Sequence, residues 1–424
     1  MKKRTYRSVG VKEVQAERLS EALGTGKVAF GVDVAKENFL GAFMGEDREV
    51  VQTVRWKSPG QLSELLALLG KVGGPARIEV ALEPSGTYGD CLLARLRALG
   101  YRVFKVSPKR CHDAAELYDG VPSKHDAKDA AVIAKLHLDG VSRLWPAETE
   151  RQRDLAAAVE VLDIHQQQYQ QNQCRLEAKL ARHWPELPSI LDLSSATLLV
   201  VLEELGGPQQ VRANPGRALE TVGRSGRFFL AVEKREAVVE SARTTIGAGM
   251  TAWEQEGLRQ LARETNRNRL AANEAQKKVE QLAEDDPVIQ STAMVVGKVT
   301  AATLVVGLGD AADYGSAAAY VKAAGLNLKE RSSGKHKGQL KITKRGPSLV
   351  RRNLYLAVLR LIQTEPHFKA WHAGKVQRMA GESKKKSVVA LMRKLLGALW
   401  HVARGSEFDA ARLFDARKLG LAPS

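Results

Sequence analysis

The stretch Val28-Ala-Phe-Gly-Val-Asp-Val-Ala-Lys36 is an apolar run that closes on a carboxylate, Asp33, and then a lysine. A second apolar run, Arg77-Ile-Glu-Val-Ala-Leu-Glu83, closes in the same way on Glu83. Short apolar runs of this length predict buried strands. Open α/β sheets place their ligands at the carboxyl ends of the strands, so the two runs predict acidic groups at one sheet edge.

A pair of acids follows further along the chain, at Asp126 and Asp129. Three residues apart on a helix, they share one face and can reach the same ion. Each acid taken singly is more often an ordinary turn or surface residue. Together with Asp33 and Glu83, however, the pair favours a Mg²⁺ site, because magnesium prefers hard oxygen ligands. Phosphoryl-transfer sites hold their metal ions with several such carboxylates.

The order of the predicted elements around these acids indicates the fold. A meander of three strands is followed by a helix, a strand, a second helix and a further strand, which is the order of a mixed ribonuclease-H-like sheet. The predicted strands are 28–34, 39–44, 49–56, 78–82 and 102–106, and the predicted helices are 58–71 and 88–99. Sugar kinases and actin-like ATPases share this core, but they need glycine-rich phosphate loops, which the sequence does not show.

The charge of the chain predicts a polyanionic partner. The formal net charge is +17 and the isoelectric point is near 9.7. Between Val321 and Arg360 eleven lysines and arginines stand against the single acid Glu330. Such a surface gains free energy by releasing counterions from phosphates, which favours a nucleic acid. The predicted nucleic-acid contacts are Lys329, Arg331, Lys335, Lys337, Lys341, Lys344, Arg345, Arg351 and Arg352.

The same segment holds a candidate nucleophile. Ser333 precedes a glycine in a loop crowded with cations, where a serine can attack a phosphodiester while the cations stabilise the added charge. His336 lies nearby, but no acidic partner accompanies it, so a Ser-His-Asp triad is not predicted. On the residues alone, a serine that contacts phosphate without attacking it is the more frequent arrangement.

The remaining chain is predicted to be helical. Leu155, Leu162, Tyr169 and Leu176 repeat every seven residues, and a second stretch from Leu258 to Leu282 has a three-four spacing. These patterns predict an antiparallel coiled-coil arm or a dimer contact. The predicted domains are a basic extension 1–26, an α/β domain 27–147, an arm 148–286 with an inserted module at 187–250, and a mainly helical domain 287–424.

Cysteines and apolar stretches predict a protein of a reducing compartment. The three cysteines have no paired spacing, which argues against a zinc knuckle or a disulfide framework. The basic N-terminus is not followed by the apolar core of a signal peptide, and no stretch is long enough to span a bilayer. We therefore expect a cytoplasmic protein, acting at the bacterial nucleoid, with no membrane partner.

These motifs together resemble the DEDD transposases of the IS110 family of bacterial insertion sequences, in its longer-chain subgroup. The resemblance covers roughly 27–136 and 284–411, and its most specific pieces are Gly31-Val-Asp-Val-Ala-Lys36, Glu83-Pro-Ser-Gly-Thr-Tyr88, Lys124-His-Asp-Ala-Lys-Asp-Ala130, Ala324-Gly-Leu326 with Ser333-Gly334, and Lys344-Arg-Gly346. It implies a site-specific recombinase with a RuvC-like domain and a serine-bearing C-terminal domain.

The resemblance also implies roles and partners. Asp33, Glu83, Asp126 and Asp129 would hold Mg²⁺, and Ser333 would become joined to a DNA phosphate. Double-stranded DNA at the element junction and target, a bridge RNA and a homodimer or homotetramer are the implied partners. Protomers of such an assembly would share sites.

Three departures and two alternatives accompany this interpretation. Ser332 directly precedes Ser333, and Val295-Val-Gly-Lys298 stands where relatives often carry a Pro-Gly-x-Gly turn. The insert 187–250 is not part of the shared core, although longer members carry extra sequence there. One alternative is a Mg²⁺-dependent, structure-specific DNA nuclease similar to Holliday-junction resolvases, without covalent serine chemistry. The other is a non-catalytic scaffold that binds nucleic acid.

Overall fold

The chain divides into two compact units, Met1–Glu148 and Thr149–Ser424. The computed structural model describes residues 7–84, 86–114, 126–224, 230–330, 338, 340–379 and 384–414. In these ranges the first unit is a mixed sheet with helices and the second is almost wholly helical, which confirms the predicted fold class. None of the helices within them combines the length and apolar character needed to cross a membrane.

One sheet organises the first unit, with strand order β1-β4-β3-β2-β5-β6-β7. The strands are β1 (Val9–Gly10), β2 (Val28–Asp33), β3 (Asn38–Met44), β4 (Val50–Lys57), β5 (Ile78–Leu82), β6 (Arg102–Lys105) and β7 (Arg143–Leu144). Strands β2, β3 and β4 form an antiparallel meander. On the other side of β2, β5 and then β6 run parallel to it. This is the predicted ribonuclease-H-like arrangement.

Six helices surround this sheet in the described part of the unit. They are α1 (Ala16–Ala22), α2 (Leu62–Val72), α3 (Gly74–Arg77), α4 (Asp90–Ala98), α5 (Pro108–Ala114) and α6 (Asp126–Leu138). The first of them lies in the stretch predicted only as a basic extension. There β1 pairs with β4, and Val11, Leu19 and Leu23 are buried in the main core of the sheet.

The two faces of the sheet have different coverings. Alternate residues of β2 such as Phe30 and Val32 pack with the leucines of α2 and α4. The residues between them face α6, where small side chains such as Ala29 and Ala134 form the contact. Since side chains alternate along a strand, Asp33 lies on the α6 face together with Ala29. The large aromatics therefore pack on one face, and the carboxylate lies on the other.

Helix α6 lies directly on β2 because Gly31 has no side chain. A Cβ at Gly31 would lie 2.3 Å from the carbonyl oxygen of Ala130 and 2.4 Å from the backbone nitrogen of Ala134. Both neighbours are helix backbone, which cannot rotate away as a flexible side chain can. The glycine therefore fixes the distance between the strand that ends in Asp33 and the helix that carries Asp129.

Replacement of Gly31 by alanine is expected to destabilise the first unit. Overpacking of this kind costs about 1–3 kcal/mol, and α6 would have to move off the sheet. Thermal and urea unfolding followed by circular dichroism measures the effect. Gly70→Ala is the matched control, because no atom lies within 4 Å of its added Cβ. In the interior of a helix that change stabilises by about 0.5–1 kcal/mol. Equal stability of Gly31→Ala and the wild type would contradict the close packing.

The second unit begins with a pair of long antiparallel helices, α7 (Glu150–His183) and, after five intervening helices, α13 (Ala252–Glu284). Arg151 donates to the carbonyl of Leu282 at one end, and His183 lies 3.8 Å from the Glu254 carboxylate at the other. The two heptad-patterned segments thus pair with each other within one chain, and most of their repeat positions are buried.

The remaining helices of the unit form two further clusters. Helices α8 (Leu187–Ile190), α9 (Ala196–Leu205), α10 (Pro208–Ala213), α11 (Pro215–Arg224) and α12 (Val232–Thr244) lie between the arm helices in sequence. They share a core with Trp184 and Leu258 at one end of the arm. Helices α14 (Pro287–Val296), α15 (Lys298–Leu308), α16 (Ala317–Ala323), α17 (Ser348–Thr364), α18 (Pro366–Arg378) and α19 (Lys384–Ala403) share a core with the other end.

Candidate active site

Asp33 and Glu83 end two adjacent parallel strands at the same level. Val32 on β2 pairs with Leu82 on β5, and the acids come next: Asp33 is the last residue of β2 and Glu83 directly follows β5. Glu83 is in step with Ala81, which faces α5 and α6, and both carboxylates are half-buried. The strand register therefore brings together two acids that are fifty residues apart in the sequence.

Helix α6 contributes the third carboxylate, that of the half-buried Asp129. It directly precedes Ala130, the residue whose carbonyl contacts Gly31, so the close helix–strand packing sets its position. Lys128 beside it is only 2 % exposed. Asp126 is the first residue of α6, but its side chain lies outside the described part of the structure.

The thiol of Cys111 on α5 shows that these carboxylates share one neighbourhood. Burial raises its pKa, and the negative charges of Glu83, Asp129 and Asp33 raise it further. The thiol is therefore a neutral group at neutral pH, near enough to Glu83, Asp129 and Asp33 for their charges to act on it.

A second polar group ties α6 to the sheet, centred on the buried His137. Its Nε2 lies 3.0 Å from Oε2 of Glu79, and its Nδ1 lies 2.7 Å from Oγ of Ser142. A carboxylate only accepts, so Nε2 carries the proton and Nδ1 accepts from the serine hydroxyl. Arg102 completes the group by donating to the other oxygen of Glu79 at 2.6 Å.

The buried His137 makes stability sensitive to acid. Burial lowers its pKa, although Glu79 acts in the opposite direction. A histidine whose pKa is lowered in the folded state binds protons more readily in the unfolded state. Its contribution to the free energy of unfolding is therefore complete above the ordinary histidine pKa of about 6.5 and is lost as the pH falls below it. We expect His137→Gln, which cannot titrate, to flatten the decline of the melting temperature between pH 7.5 and 5. An unchanged pH profile would contradict this.

Within the described residues, no three histidine, cysteine or acidic side chains converge closely enough to form a metal-binding group. Asp126 is not among these residues, because its side chain lies outside the described part of the structure. The predicted ligands Asp33, Glu83, Asp126 and Asp129 offer carboxylate oxygens, and such hard ligands fit Mg²⁺. The protonated thiol of Cys111 does not, since a metal ligand must be a thiolate.

The basic segment is closed at its base by a short hairpin in the second unit. Strands β8 (Leu328–Lys329) and β9 (Lys341–Ile342) pair antiparallel. Below them, the backbone nitrogen of Thr343 donates to the Asn327 carbonyl at 2.9 Å. Lys329, Lys341, Lys344 and Arg345 are exposed at this base. Arg331, Ser332, Ser333, Lys335 and Lys337 lie outside the described residues.

Close backbone contact fixes both ends of this hairpin. A Cβ at Gly325 would lie 2.6 Å from the nitrogen of Arg345, and the residue has a φ of +71°, which favours glycine. Arg351 donates to the carbonyls of Ala324 at 3.2 Å and Gly346 at 2.7 Å, one on each side of the hairpin. This arginine therefore binds the protein's own backbone.

Arg352, the neighbouring predicted contact, also has a partner within the protein. Its guanidinium forms an ion pair with Asp163 on α7. Both side chains are only partly exposed, so the pair connects α17 to the arm. Contacts of Arg351 and Arg352 with nucleic acid stay predictions, as do those of the exposed lysines.

Sequence reasoning missed Cys111 near the carboxylates, and it missed His137 as the polar link between α6 and the start of β5. In a sequence, paired cysteines indicate a disulfide or a zinc site, but paired spacing says nothing about a single thiol near carboxylates. Their positions offered one signal. Cys111 lies one turn into α5, the helix that follows β6, and His137 lies eight residues after Asp129 on α6. Cys111 therefore lies near the carboxyl ends of β5 and β6, whereas His137 lies near their amino ends, at Glu79 and Arg102.

Comparison with known proteins places both units in one family. Residues 30–185 match a family model described as a DEDD transposase of the IS110 type, and residues 290–373 match one described as "Transposase IS116/IS110/IS902 family". Together the two stretches make up more than half of the 424 residues. The first contains the four predicted acids and the second contains the basic segment with Ser333.

Two relatives are similar over long stretches. The "Insertion element IS900 uncharacterized 42 kDa protein" of Mycobacterium paratuberculosis is 25 % identical over 396 residues, covering 88 % of this chain and 95 % of that protein. The "Pilin gene-inverting protein" of Moraxella bovis is 23 % identical over 207 residues, covering 46 % of this chain and 64 % of that protein. The chain belongs to the IS110 family of transposases.

Proposed function

We propose that this transposase moves an insertion sequence as a site-specific recombinase, with a carboxylate site in the first unit and a serine nucleophile in the second. The observation that carries the proposal is the strand register that sets Asp33 and Glu83 at one level at the carboxyl edge of the sheet, next to the helix α6 that carries Asp129 and packs closely on Gly31. Such a concentration of negative charge is costly unless a cation or a proton offsets it.

The carboxylates of Asp33, Glu83, Asp126 and Asp129 would hold Mg²⁺. When bound, the ion neutralises charge on the phosphate oxygens during strand exchange. The protein's own part is positional. The β2–β5 register sets the first two acids, and the packing of α6 on Gly31 sets the third.

Ser333 would supply the covalent chemistry. Its hydroxyl oxygen forms a bond to the DNA phosphorus while the bond from phosphorus to a deoxyribose oxygen breaks. The serine proton ends on the leaving sugar hydroxyl, and attack by another sugar hydroxyl reverses the step and rejoins the strand. Lysines and arginines of the basic segment stabilise the charge that grows on the phosphate oxygens.

The partners proposed for this reaction are double-stranded DNA and a bridge RNA encoded by the element, bound in the cytoplasm by a homodimer or homotetramer. The net charge of +17 supports a partner rich in phosphate. Exposed cations at the base of the hairpin, such as Lys341 and Lys344, support contact with the backbone of that partner.

A trapping assay tests the proposal as a whole. Full-length protein, Mg²⁺, RNA transcribed from the sequence flanking the element and labelled junction DNA are combined and separated on a denaturing gel. The expected result is a protein–DNA adduct that needs both Mg²⁺ and RNA. Mg²⁺-dependent cleavage without any adduct would instead indicate the alternative nuclease. Binding without cleavage under all conditions would leave a scaffold and overturn the proposal.

A further inference from the structure

We propose that Tyr88 contacts the DNA substrate at the carboxyl edge of the sheet, with its ring stacked on a base that strand exchange leaves unpaired. This inference rests on the proposed recombinase function and adds a substrate contact beside Asp33 and Glu83. On the sequence alone, an aromatic residue just before a helix packs beneath that helix more often than it binds a ligand. The structure places this ring in solvent instead.

The ring of Tyr88 is exposed, unlike the other aromatic rings of the first unit. Its exposed fraction is 53 %. Among the described residues up to Glu148, the remaining aromatic side chains are buried or half-buried, namely Phe30, Phe39, Phe43, Trp56, Tyr101, Phe104 and Trp145. Packing in the core therefore does not account for an aromatic residue at this place.

The backbone next to Tyr88 lies at the edge of the sheet that carries the acids. The chain leaves β5 at Glu83 and reaches Gly89 six residues later. A Cβ at Gly89 would lie 3.4 Å from a methyl group of Val34, the residue that follows Asp33. This segment therefore runs from the end of β5 to the end of β2, and Tyr88 is its next-to-last residue.

The base of the ring is fixed, although the ring itself is exposed. The Asp90 nitrogen donates to the carbonyl of Thr87 at 3.1 Å, and the Leu93 nitrogen donates to the carbonyl of Gly89 at 2.9 Å. Leu93 belongs to α4 and is buried in the main core of the sheet. A ring on such a base is preorganised, so binding costs little additional ordering of the protein.

A neutral ring suits an acidic edge as a contact for nucleic acid. Carboxylates repel phosphate groups, whereas an aromatic ring binds the face of a base without using charge. Every base has such a face, so the contact does not depend on the DNA sequence. Strand exchange separates the base pairs next to the cut, and an unpaired base is then available to the ring.

Single-turnover cleavage of labelled junction DNA by the full-length protein, with Mg²⁺ and the flanking RNA, measures the contact. Loss of a stacked ring costs about 5- to 150-fold, and we expect Tyr88→Ala to slow cleavage within that range. Tyr88→Phe keeps the ring and should cleave at close to the wild-type rate. Leu99→Ala is the matched control, since Leu99 is an exposed apolar residue at the other end of α4.

A photochemical cross-link locates the contact independently of cleavage. Junction DNA with mismatched bases at the junction supplies unpaired bases, and 5-iodouracil replaces each nearby thymine in turn. Ultraviolet light joins 5-iodouracil to an aromatic ring that is stacked on it. In the Ser333→Ala protein, which leaves the strands uncut, we expect a cross-linked peptide that contains Tyr88. The cross-link should be lost when Tyr88→Ala is added.

The remaining outcomes separate the role of Tyr88 from the proposed function. A wild type that neither cleaves DNA nor forms an adduct would overturn both. Normal wild-type cleavage together with an unchanged rate in Tyr88→Ala, or with no cross-link at that residue, would overturn only the role of Tyr88. Equal losses in Tyr88→Ala and Tyr88→Phe would assign the effect to the hydroxyl group and overturn stacking. A melting temperature of Tyr88→Ala that falls in parallel with its cleavage would indicate a packing role and overturn it as well.

Discussion

Asp33→Asn is expected to lower the rate of DNA strand cleavage by about 10²–10³-fold, the usual cost of removing one group that stabilises transition-state charge. The amide has the same shape as the carboxylate but is a far weaker ligand for Mg²⁺. Binding of DNA should persist, because the change removes a negative charge from a protein that carries +17. Cleavage of labelled junction DNA in single turnover and DNA binding at the same salt concentration measure the two effects.

Asp47→Asn is the matched control for this change. Asp47 is exposed in the turn after β3, and its carboxylate accepts from the nearby Glu49 nitrogen at 3.2 Å. The Asp47→Asn variant should cleave the junction DNA at the wild-type rate. Wild-type cleavage by Asp33→Asn itself would show that the carboxylate edge has no part in the chemistry.

Ser333→Ala is expected to abolish the covalent protein–DNA adduct and, with it, strand exchange. Removal of a serine nucleophile costs on the order of 10⁶-fold in serine hydrolases, so the adduct should disappear below detection. Phosphate contacts elsewhere in the basic segment remain, and DNA binding should fall little. The trapping gel shows the adduct, and peptide mapping of the trapped wild type locates the modified residue.

Ser332→Ala gives this prediction a close control. The two serines are adjacent, so a general disturbance of the segment should affect both variants alike. A nucleophile at Ser333 predicts loss of the adduct in one variant and retention in the other. An adduct that survives in Ser333→Ala and disappears in Ser332→Ala would reassign the nucleophile. Adducts in both would place it elsewhere in the chain.

Much of the first unit was predictable because its signals are local. The strands β2 to β6 are apolar runs bounded by turns, and no observed limit differs from the predicted one by more than one residue. Strands β1 and β7 were not predicted, since two residues carry no detectable periodicity. Helix α1 was missed for a related reason. It is short, with three charged residues among its seven, and only its burial against the sheet gives it a place in the core.

The candidate site was predictable in its residue types but not in its surroundings. Acids at the ends of apolar runs indicated Asp33 and Glu83, and an i, i+3 pair indicated Asp126 and Asp129. Nothing local distinguishes Cys111 from the exposed Cys91 and Cys174. The difference arises because α5 follows β6 and packs against α6, a contact between segments that the sequence keeps apart.

The arm shows the same division. Its heptads predicted two helices that each bury one face. A heptad pattern does not specify which helix packs against that face, and a helix of a second protein chain would fit equally well. The structure pairs α7 with α13, and at the middle of that pairing His165 lies 3.0 Å from Asn268. Polar pairs inside a seam specify register, so these side chains align the two helices.

The sequence by itself determined the class of the fold, the family, the acidic residues and the positive charge, because each follows from apolar periodicity or from residue type. Only the tertiary structure decided which of those residues are neighbours. The β2–β5 register brings Glu83 beside Asp33, and the missing side chain of Gly31 lets α6 bring Asp129 to both. The physical reason is that strand pairing and close packing are interactions between distant segments, whose geometry no single segment contains.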